Sequence, residues 1–485
     1  MAFNVSNRHQ PIMFPVLIEE YVPVNAPVRV YDAFVEALDF EKLGIKLEPN
    51  PKGGGDEYYP KDMLKLILYG TSYGGVRSSR KLERACHDNV SFIWLMGGMK
   101  PDFRTIARFR IANKEAIKKV LKQCVQMCVK MDLIEGNMLF TDGSKFRADA
   151  SIHNTWTKER CDRHIKKIEE HIDKIIEDSV KGDVEDGQEA SLIRLKEDIR
   201  DKAVFINKIK DVLSELEESD KTSLNSTDKD CVNGKSRQGT HASYNVQSTA
   251  DGKHGLIVNV ECVSQSNDYN QLNHQVEAAA EMIGHKPKHV CADAGYADIQ
   301  DLKKIDSEIN IVVPSRKQAQ EAKGVCPVGE FDRTNFVYDK VKDEYICPMG
   351  NHLRYIGCSQ ETAQKFYKAQ GSMCRSCVHF GDPKKGKCTH CPTGRKIVRL
   401  MDEEFKEELE KNYVKPENQR IYALRKETIE HPFGHFKRNL GAGQFLLRGK
   451  DKVDAEASVL ATCFNLSRIM TILGIPKLLM AFASV

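Results

Sequence analysis

MLFTD at Met138–Asp142 and HVCAD at His289–Asp293 are two short apolar runs that each end in an aspartate. Such runs, bounded by turn signals, read as buried strands. A carboxylate at the carboxyl edge of a buried strand sits on a rigid element and faces the crevice where α/β sheets hold ligands. Two such acids on neighbouring strands would set hard oxygen donors side by side. Magnesium or manganese takes donors of this kind and keeps positions for water and phosphate. Taken singly, each Asp reads equally as a helix cap or turn former after its strand.

Working outward, the period is strand-like from Ala242 to Val263, with ASYNVQSTAD and GLIVNVECV joined at Asp251–Gly252 as a β-hairpin. A helix is predicted over Gln271–Ile283 and a further strand over Ile309–Val313. Between the first strand and the hairpin, Ile165, Ile168, Ile172 and Ile175, then Leu192, Leu195, Ile206, Ile209 and Leu213, recur at helical spacing among dense Lys and Glu. A turn at Gly182–Gly187 makes this an antiparallel helical hairpin over 158–218. The expected class is therefore α/β: a mixed sheet with one long helical interruption. Residues 318–400 lose the apolar period and become rich in Cys, Gly, Lys and Pro, and helical patterning returns at Glu403–Phe436 and from Val453.

On the other side, a Pro/Gly-rich break at Pro49–Gly55 precedes a helical, basic block. Leu64, Leu66, Ile67 and Leu68 begin one helix, Gly74 and Gly75 punctuate it, Arg77–Cys86 give a second and Pro101–Ile111 a third. Between Lys61 and Lys122 there are 14 Lys/Arg and 5 Asp/Glu, a net of +9 on a chain whose total is +4. A concentrated basic block on a nearly neutral chain points to a polyanionic partner. Four segments follow: 1–134, a helical nucleic-acid-binding domain; 135–317, the sheet with its inserted hairpin; 318–400, a Cys-rich insertion; and 401–485, the returning helices.

With 485 residues, 41% hydrophobic and 29% charged, the chain is expected to form about three globular domains, and a disordered, collagenous or disulfide-scaffold protein is excluded. The opening MAFNVSNRHQPIMF has no secretory apolar core, and no run of 18 apolar residues suggests a membrane span. Fifteen cysteines without an export signal fit a reducing, cytoplasmic setting. Among them, Cys374-x2-Cys377-x10-Cys388-x2-Cys391 has the two-knuckle spacing of a structural zinc site, while Cys347 and Cys358 stand upstream as substitutes or members of a second site.

A third acid is expected in RIYALRKETIEHPFGHFKRNLG at 420–441. Glu430 and Lys437 are seven residues apart, two helical turns, so they share a face. Arg425, Lys426, His431, His435 and Arg438 crowd around them, as contact with a phosphate backbone would require. Surface ion pairing on an amphipathic helix is the plainer reading of the same stretch.

Four blocks together resemble the DDE transposases of bacterial insertion sequences: TDGSKFRADAS at 141–151, GTHASYNVQSTAD at 239–251, CADAGYAD at 291–298 and RKETIEHPFGHFKR at 425–438. YYPKDMLKLILYGTSYGGVRSSRKLE at 58–83 is similar to the N-terminal helical domain common in these enzymes. The resemblance implies a ribonuclease H-like catalytic sheet with helices on both faces and a zinc-ribbon-like insertion. It makes Asp142, Asp293 and Glu430 the catalytic acids, holding two Mg²⁺ or Mn²⁺ ions. Tyr422, Arg425, Glu430 and Lys437 match the Tyr-x2-Arg-x3-Glu-x6-Lys signature except that four residues, not three, separate Arg425 from Glu430. Lys426 is thus an alternative to Arg425, and Glu427 a rival acid. The implied partners are terminal inverted repeats, target DNA and a second copy of the chain, at the bacterial nucleoid. A nuclease of the same fold and an inactive zinc-containing DNA-binding protein are the other readings.

Overall fold

A computed structural model describes residues 17–49, 57–182, 189–219, 221–236, 239–322, 324, 329–383 and 386–484, with the side chains of 175–199 and 236 left aside. The Pro49–Gly55 break and the Gly182–Gly187 turn lie, apart from Pro49 and Gly182, outside the described residues, as do the side chains of Ile175, Leu192 and Leu195. The chain divides into two compact units. One holds residues 1–268, 275–287 and 426–485; the other holds 269–274 and 288–425.

In the first unit, the basic block forms helices Pro60–Ser72, Ser79–Asp88, Val90–Leu95, Phe103–Ala112 and Lys114–Lys130. Pro60 starts the first of these, where its missing N–H costs nothing. Ser78, Asn89 and Asp102 each accept a backbone N–H and start the next three. Gly75 lies at φ +74, and a Cβ there would stand 2.8 Å from the Leu440 carbonyl, so this turn admits only glycine. Helix Pro27–Glu36, which the mixed opening residues concealed, packs on Pro60–Ser72.

Helices Pro60–Ser72 and Lys114–Lys130 pack on Lys450–Leu473, whose residues from Val453 to Leu466 are nearly all buried. Among the described residues no single helix is long and apolar enough to cross a membrane. Lys450–Leu473 and Ile475–Ala483 reach that hydropathy only as a pair, bent by 113°.

Part of the block's positive charge is structural. Lys65 is buried among Asp32, Glu36 and Asp62, and Arg77 is buried against Glu456 and the carbonyls of Gly441 and Gln444. Arg110 donates to the Arg77 carbonyl at 2.6 Å, and burial pulls its pKa down to about 10 against the pull of Glu456. A count along the sequence overstates the charge offered to a partner, because acids from distant segments neutralise it.

Among the described residues, the same unit carries a group of four antiparallel-paired strands. Gly239–Asp251 pairs along one edge with Met138–Arg147, and along the other with Val232–Ser236 and then Ile257–Val263. The expected hairpin is present, its tight end closed by Gly255 at φ +66. Helices Lys158–Gly182 and Glu189–Glu218 pack on each other, and Trp156, Cys161, Ile209, Leu216 and Leu224 form a small core beneath them.

In the second unit, His289–Cys291 and Asn310–Val312 pair in parallel. Residues 337–400, within the segment expected as a Cys-rich, zinc-ribbon-like insertion, contain a five-stranded antiparallel sheet, ordered Lys396–Leu400, Gln364–Ala369, His352–Ser359, Glu344–Ile346, Val337–Asp339. Its strands are short and split by turns, so no apolar period lasts long enough to be read. Tyr345, Leu353, Tyr367 and Ile397 build its core, and Asp343 accepts from the hydroxyls of Tyr338 (2.7 Å) and Tyr367 (2.6 Å). Helices Glu403–Tyr413 and Pro416–Arg425 complete the unit.

Candidate active site

Strand Met138–Arg147 does not end at Asp142, as expected, but runs on to Arg147. Gly143 through Arg147 keep pairing with Gln247 through Ser243. Phe146 anchors this polar-looking half, its ring 5.7–6.3 Å from those of Phe433, Phe436 and Phe445. Burying each of these rings contributes on the order of 2 kcal/mol, ample to extend a strand whose intervening side chains are polar. Strand alternation puts Asp142, Ser144 and Phe146 on one face and Thr141, Gly143 and Lys145 on the other. Asp142 is half-buried, and its Oδ1 accepts the Gly143 N–H at 3.0 Å.

On the Asp142 face lies helix His431–Arg438, entered through a π-helical turn at Lys426–Glu430 that packs on both strands. The turn has a physical cause. Pro432 lacks an N–H, and in an unbroken α-helix its ring would meet the carbonyl of Thr428. A π-turn, bonded i→i+5, widens the backbone just before it. Ile429, Phe433 and Phe436 form the buried stripe, leaving Glu430, Lys437 and Arg438 exposed on the helix and Lys426 exposed in the turn.

Lys437 Nζ donates to Ser144 Oγ at 2.6 Å and lies 4.6 Å from the centre of the Phe146 ring. This packing pulls its pKa below the ordinary lysine value although the side chain as a whole is exposed. Burial, then His431, likewise lowers the His435 pKa.

The opposite face of the strand holds Asn245 and Gln247 of the Tyr-Asn-x-Gln stretch at 244–247, whose acid partner Asp268 the sequence reading did not pick out. Asn245 Nδ2 and Gln247 Nε2 both donate to Asp268 Oδ1, at 2.8 and 2.7 Å. A Cβ on Gly143 would collide with that oxygen and with both amides, so glycine at this position lets the Asp268 carboxylate lie flat against the strand. Tyr244, paired with Phe146 and so on the Asp142 face, donates to both oxygens of Asp228 at 2.8 and 2.9 Å. The Tyr-Asn-x-Gln stretch is thus two buried polar ties, each ending on an acid. The signal was available, because buried amides in a strand require acceptors and few acids lie nearby in the chain.

In the second unit, Asp293 stands just beyond strand His289–Cys291 and caps a short turn by accepting the Gly295 N–H at 2.7 Å. Asp298 caps the next helix in the same way. Tyr422 packs edge-on against Tyr413, and the Arg425 guanidinium lies 5.8 Å from the Tyr422 ring centre. Burial pushes the Cys291 thiol up to about 12, with Arg425 opposing and Asp293 adding to the shift. Burial also raises the Tyr422 phenol, again against Arg425. Asp293, Cys291, Tyr422 and Arg425 therefore act on one another electrostatically.

The cysteines of the same unit sort into two environments. Cys347, Cys374, Cys377 and Cys388 line one pocket with Phe331, Phe336, Leu353 and Phe380. Cys391 is exposed and lies 3.2 Å from the Thr393 hydroxyl. Among the described residues, no three His, Cys, Asp or Glu side chains are gathered closely enough to hold a metal ion as they stand.

In the first unit, helices Ser79–Asp88 and Phe103–Ala112 pack together and expose Arg80, Lys81, Arg84, Arg104 and Arg108. The Arg80 and Arg104 guanidiniums flank the Phe103 ring at 5.1 and 5.7 Å. This face carries five of the block's basic residues that are not spent in buried ion pairs.

Two family models match the chain. A transposase DDE domain covers residues 346–470, running through the Cys-rich segment and Glu430, and a transposase domain (DUF772) covers residues 16–112. Asp142 and Asp293 lie outside both matches. No curated protein and no solved structure matches the chain.

Proposed function

From the premise that this chain belongs to the insertion-sequence DDE transposases, we propose that it binds the terminal inverted repeats of its element, hydrolyses a phosphodiester at each end and joins the freed 3′-hydroxyl to target DNA. Enzymes of this family break and rejoin phosphodiesters with divalent metal ions. Asp142, Asp293 and Glu430 are the residues we assign to hold Mg²⁺ or Mn²⁺, two ions per site; all three offer the hard oxygen donors such ions take. The bound ions supply a lowered pKa for the attacking oxygen and charge neutralisation at the leaving one. The antiparallel strands of the first unit suit the ribonuclease H-like part of this reading.

The observation that carries this reading is the π-turn. The Arg425-to-Glu430 step is one residue longer than the family signature, and a turn bonded i→i+5 takes up that residue. Arg425 therefore keeps the signature's arginine role, beside Tyr422, and Lys426 becomes an exposed phosphate contact. Lys437, tied to Ser144 on the Asp142 face, and Arg438 beyond it would hold phosphates near the scissile bond. Lys437 is oriented before DNA arrives.

Helices Ser79–Asp88 and Phe103–Ala112 are the proposed duplex grip. Replacing Arg84 and Arg108 with Ala should weaken binding of end and random duplex alike and reduce the slope of log K against log salt by about 2. Titrations from 50 to 200 mM salt would read this, and an unchanged slope would place the DNA elsewhere. Pairing two element ends calls for a homodimer, and DNA as partner places the protein at the nucleoid. A structural Zn²⁺ in segment 318–400 is part of the same reading, separate from the catalytic ions because soft thiolates do not hold magnesium.

The test uses a labelled duplex from the DNA flanking the reading frame. Metal-dependent nicking with joined products is expected. Nicking without joining would indicate a nuclease, and binding without cleavage in Mg²⁺ or Mn²⁺ an inactive DNA-binding protein.

A further inference from the structure

The paired Cys-x2-Cys motifs, Cys374 with Cys377 and Cys388 with Cys391, do not all share one environment. Cys391 faces solvent with the Thr393 hydroxyl against its sulfur, whereas Cys347, from a strand-end turn well upstream, lines the same pocket as the other three. We propose that Cys347, Cys374, Cys377 and Cys388 form a tetrathiolate site for a structural Zn²⁺, and that Cys391 is not a ligand.

The surroundings of these four sulfurs are those of a thiolate site. The Asn351 N–H donates to Cys347 Sγ at 3.3 Å, and the Arg395 N–H donates to Cys374 Sγ at 3.4 Å. Such bonds favour the charged sulfur over the thiol and orient its lone pairs. The first belongs to a tight loop: Cys347 N–H donates to the Asn351 carbonyl at 2.9 Å, Gly350 N–H to the Cys347 carbonyl at 2.8 Å, and Gly350 takes φ +77. This knuckle lies between strands Glu344–Ile346 and His352–Ser359, so the sheet holds it in place. A second turn holds Cys374 and Cys377, closed by the Cys377 N–H on the Cys374 carbonyl at 3.1 Å. Cys388 is fixed by its N–H on the His379 carbonyl at 2.8 Å.

Charge and solvent also suit a metal. Four thiolates and Zn²⁺ sum to −2, and the Arg395 guanidinium, donating to the Cys388 carbonyl at 3.3 Å and the Phe331 carbonyl at 3.4 Å, is placed to offset part of it. Phe331, Phe336, Leu353 and Phe380 shield the pocket from water. The thiols are not at bonding distance as they stand; zinc would draw them to about 2.3 Å from the ion. The sulfurs are soft donors in fours, which selects zinc over magnesium.

The assignment rests on the zinc part of the proposed function alone, and metal content is read without DNA, so its failure and that of the catalytic reading are distinguishable. The full-length protein, purified without chelator, is analysed for metal and then exchanged with Co²⁺, whose visible spectrum reports the number of thiolates. The expected result is one zinc per chain and a four-thiolate cobalt spectrum, both unchanged in Cys391→Ser. Because Cys391 is exposed, that variant tests the assignment without disturbing the fold. Cys347→Ser should weaken zinc binding by at least about tenfold and convert the cobalt spectrum to a three-thiolate form. A wild-type chain that takes up no zinc when the ion is supplied overturns the site. Loss of zinc or of one cobalt thiolate in Cys391→Ser overturns the choice of Cys347 and restores the two Cys-x2-Cys pairs as the ligand set.

Discussion

Asp142→Asn and Asp293→Asn should each reduce metal-dependent cleavage of an element-end duplex on the order of 10³-fold or more while leaving duplex binding within about twofold. The size follows from what the substitution removes. An amide keeps the shape of the carboxylate but loses its charge, and a divalent ion that has lost one anionic ligand is held weakly and poorly placed. Binding is expected to survive because the proposed duplex grip lies on other helices, Ser79–Asp88 and Phe103–Ala112.

Neither Asn side chain should unfold the protein. Asp142 Oδ1 accepts a neighbouring N–H and Asp293 caps a single turn, roles that Asn performs nearly as well. Band-shift titration beside a cleavage time course separates the outcomes. Undiminished cleavage by either variant would remove that residue from the metal site. Equal loss of binding and cleavage would make it structural.

Much of the fold was legible in the sequence where one local period persisted. The hairpin over 242–263, the helices over 158–218 and the helices after Glu403 are where the pattern put them. Three features escaped for physical reasons. The second half of strand Met138–Arg147 is polar in sequence and is held by phenylalanines from residues 433–445. The five-stranded sheet of 337–400 is built from strands of three to eight residues, too short for a period. The charge of the 61–122 block is partly spent on Asp32, Glu36 and Glu456, which no window count includes. The candidate acids Asp142 and Asp293 stand out in the sequence because each ends a conspicuous apolar run, whereas Asp268 and Asp228, which satisfy other residues, give no such signal.

The choice between Glu430 and Glu427 as the third acid depends on the π-turn and gives the other large effect. Both carboxylates are exposed, so burial does not decide between them. Glu430 ends the π-turn and begins helix His431–Arg438, in which Lys437 lies two turns on, tied to Ser144 on the Asp142 face. Glu427 lies inside the turn, three residues earlier, and its ten-residue step to Lys437 takes it off that face. Glu430→Gln should therefore cut cleavage on the order of 10³-fold, and Glu427→Gln by less than about threefold. Pro432→Ala supplies an independent arm. Restoring an N–H at 432 removes the reason for the wide turn, and a helix that relaxes to i→i+4 bonding would rotate Glu430 by one residue relative to what precedes it. The expected result is a folded protein with cleavage reduced at least about tenfold and DNA binding unchanged, because positioning and not ligand chemistry has been altered. Glu427→Gln losing activity while Glu430→Gln keeps it would reverse the assignment, and Pro432→Ala at wild-type rates would show that the π-turn does not set the position of the acid.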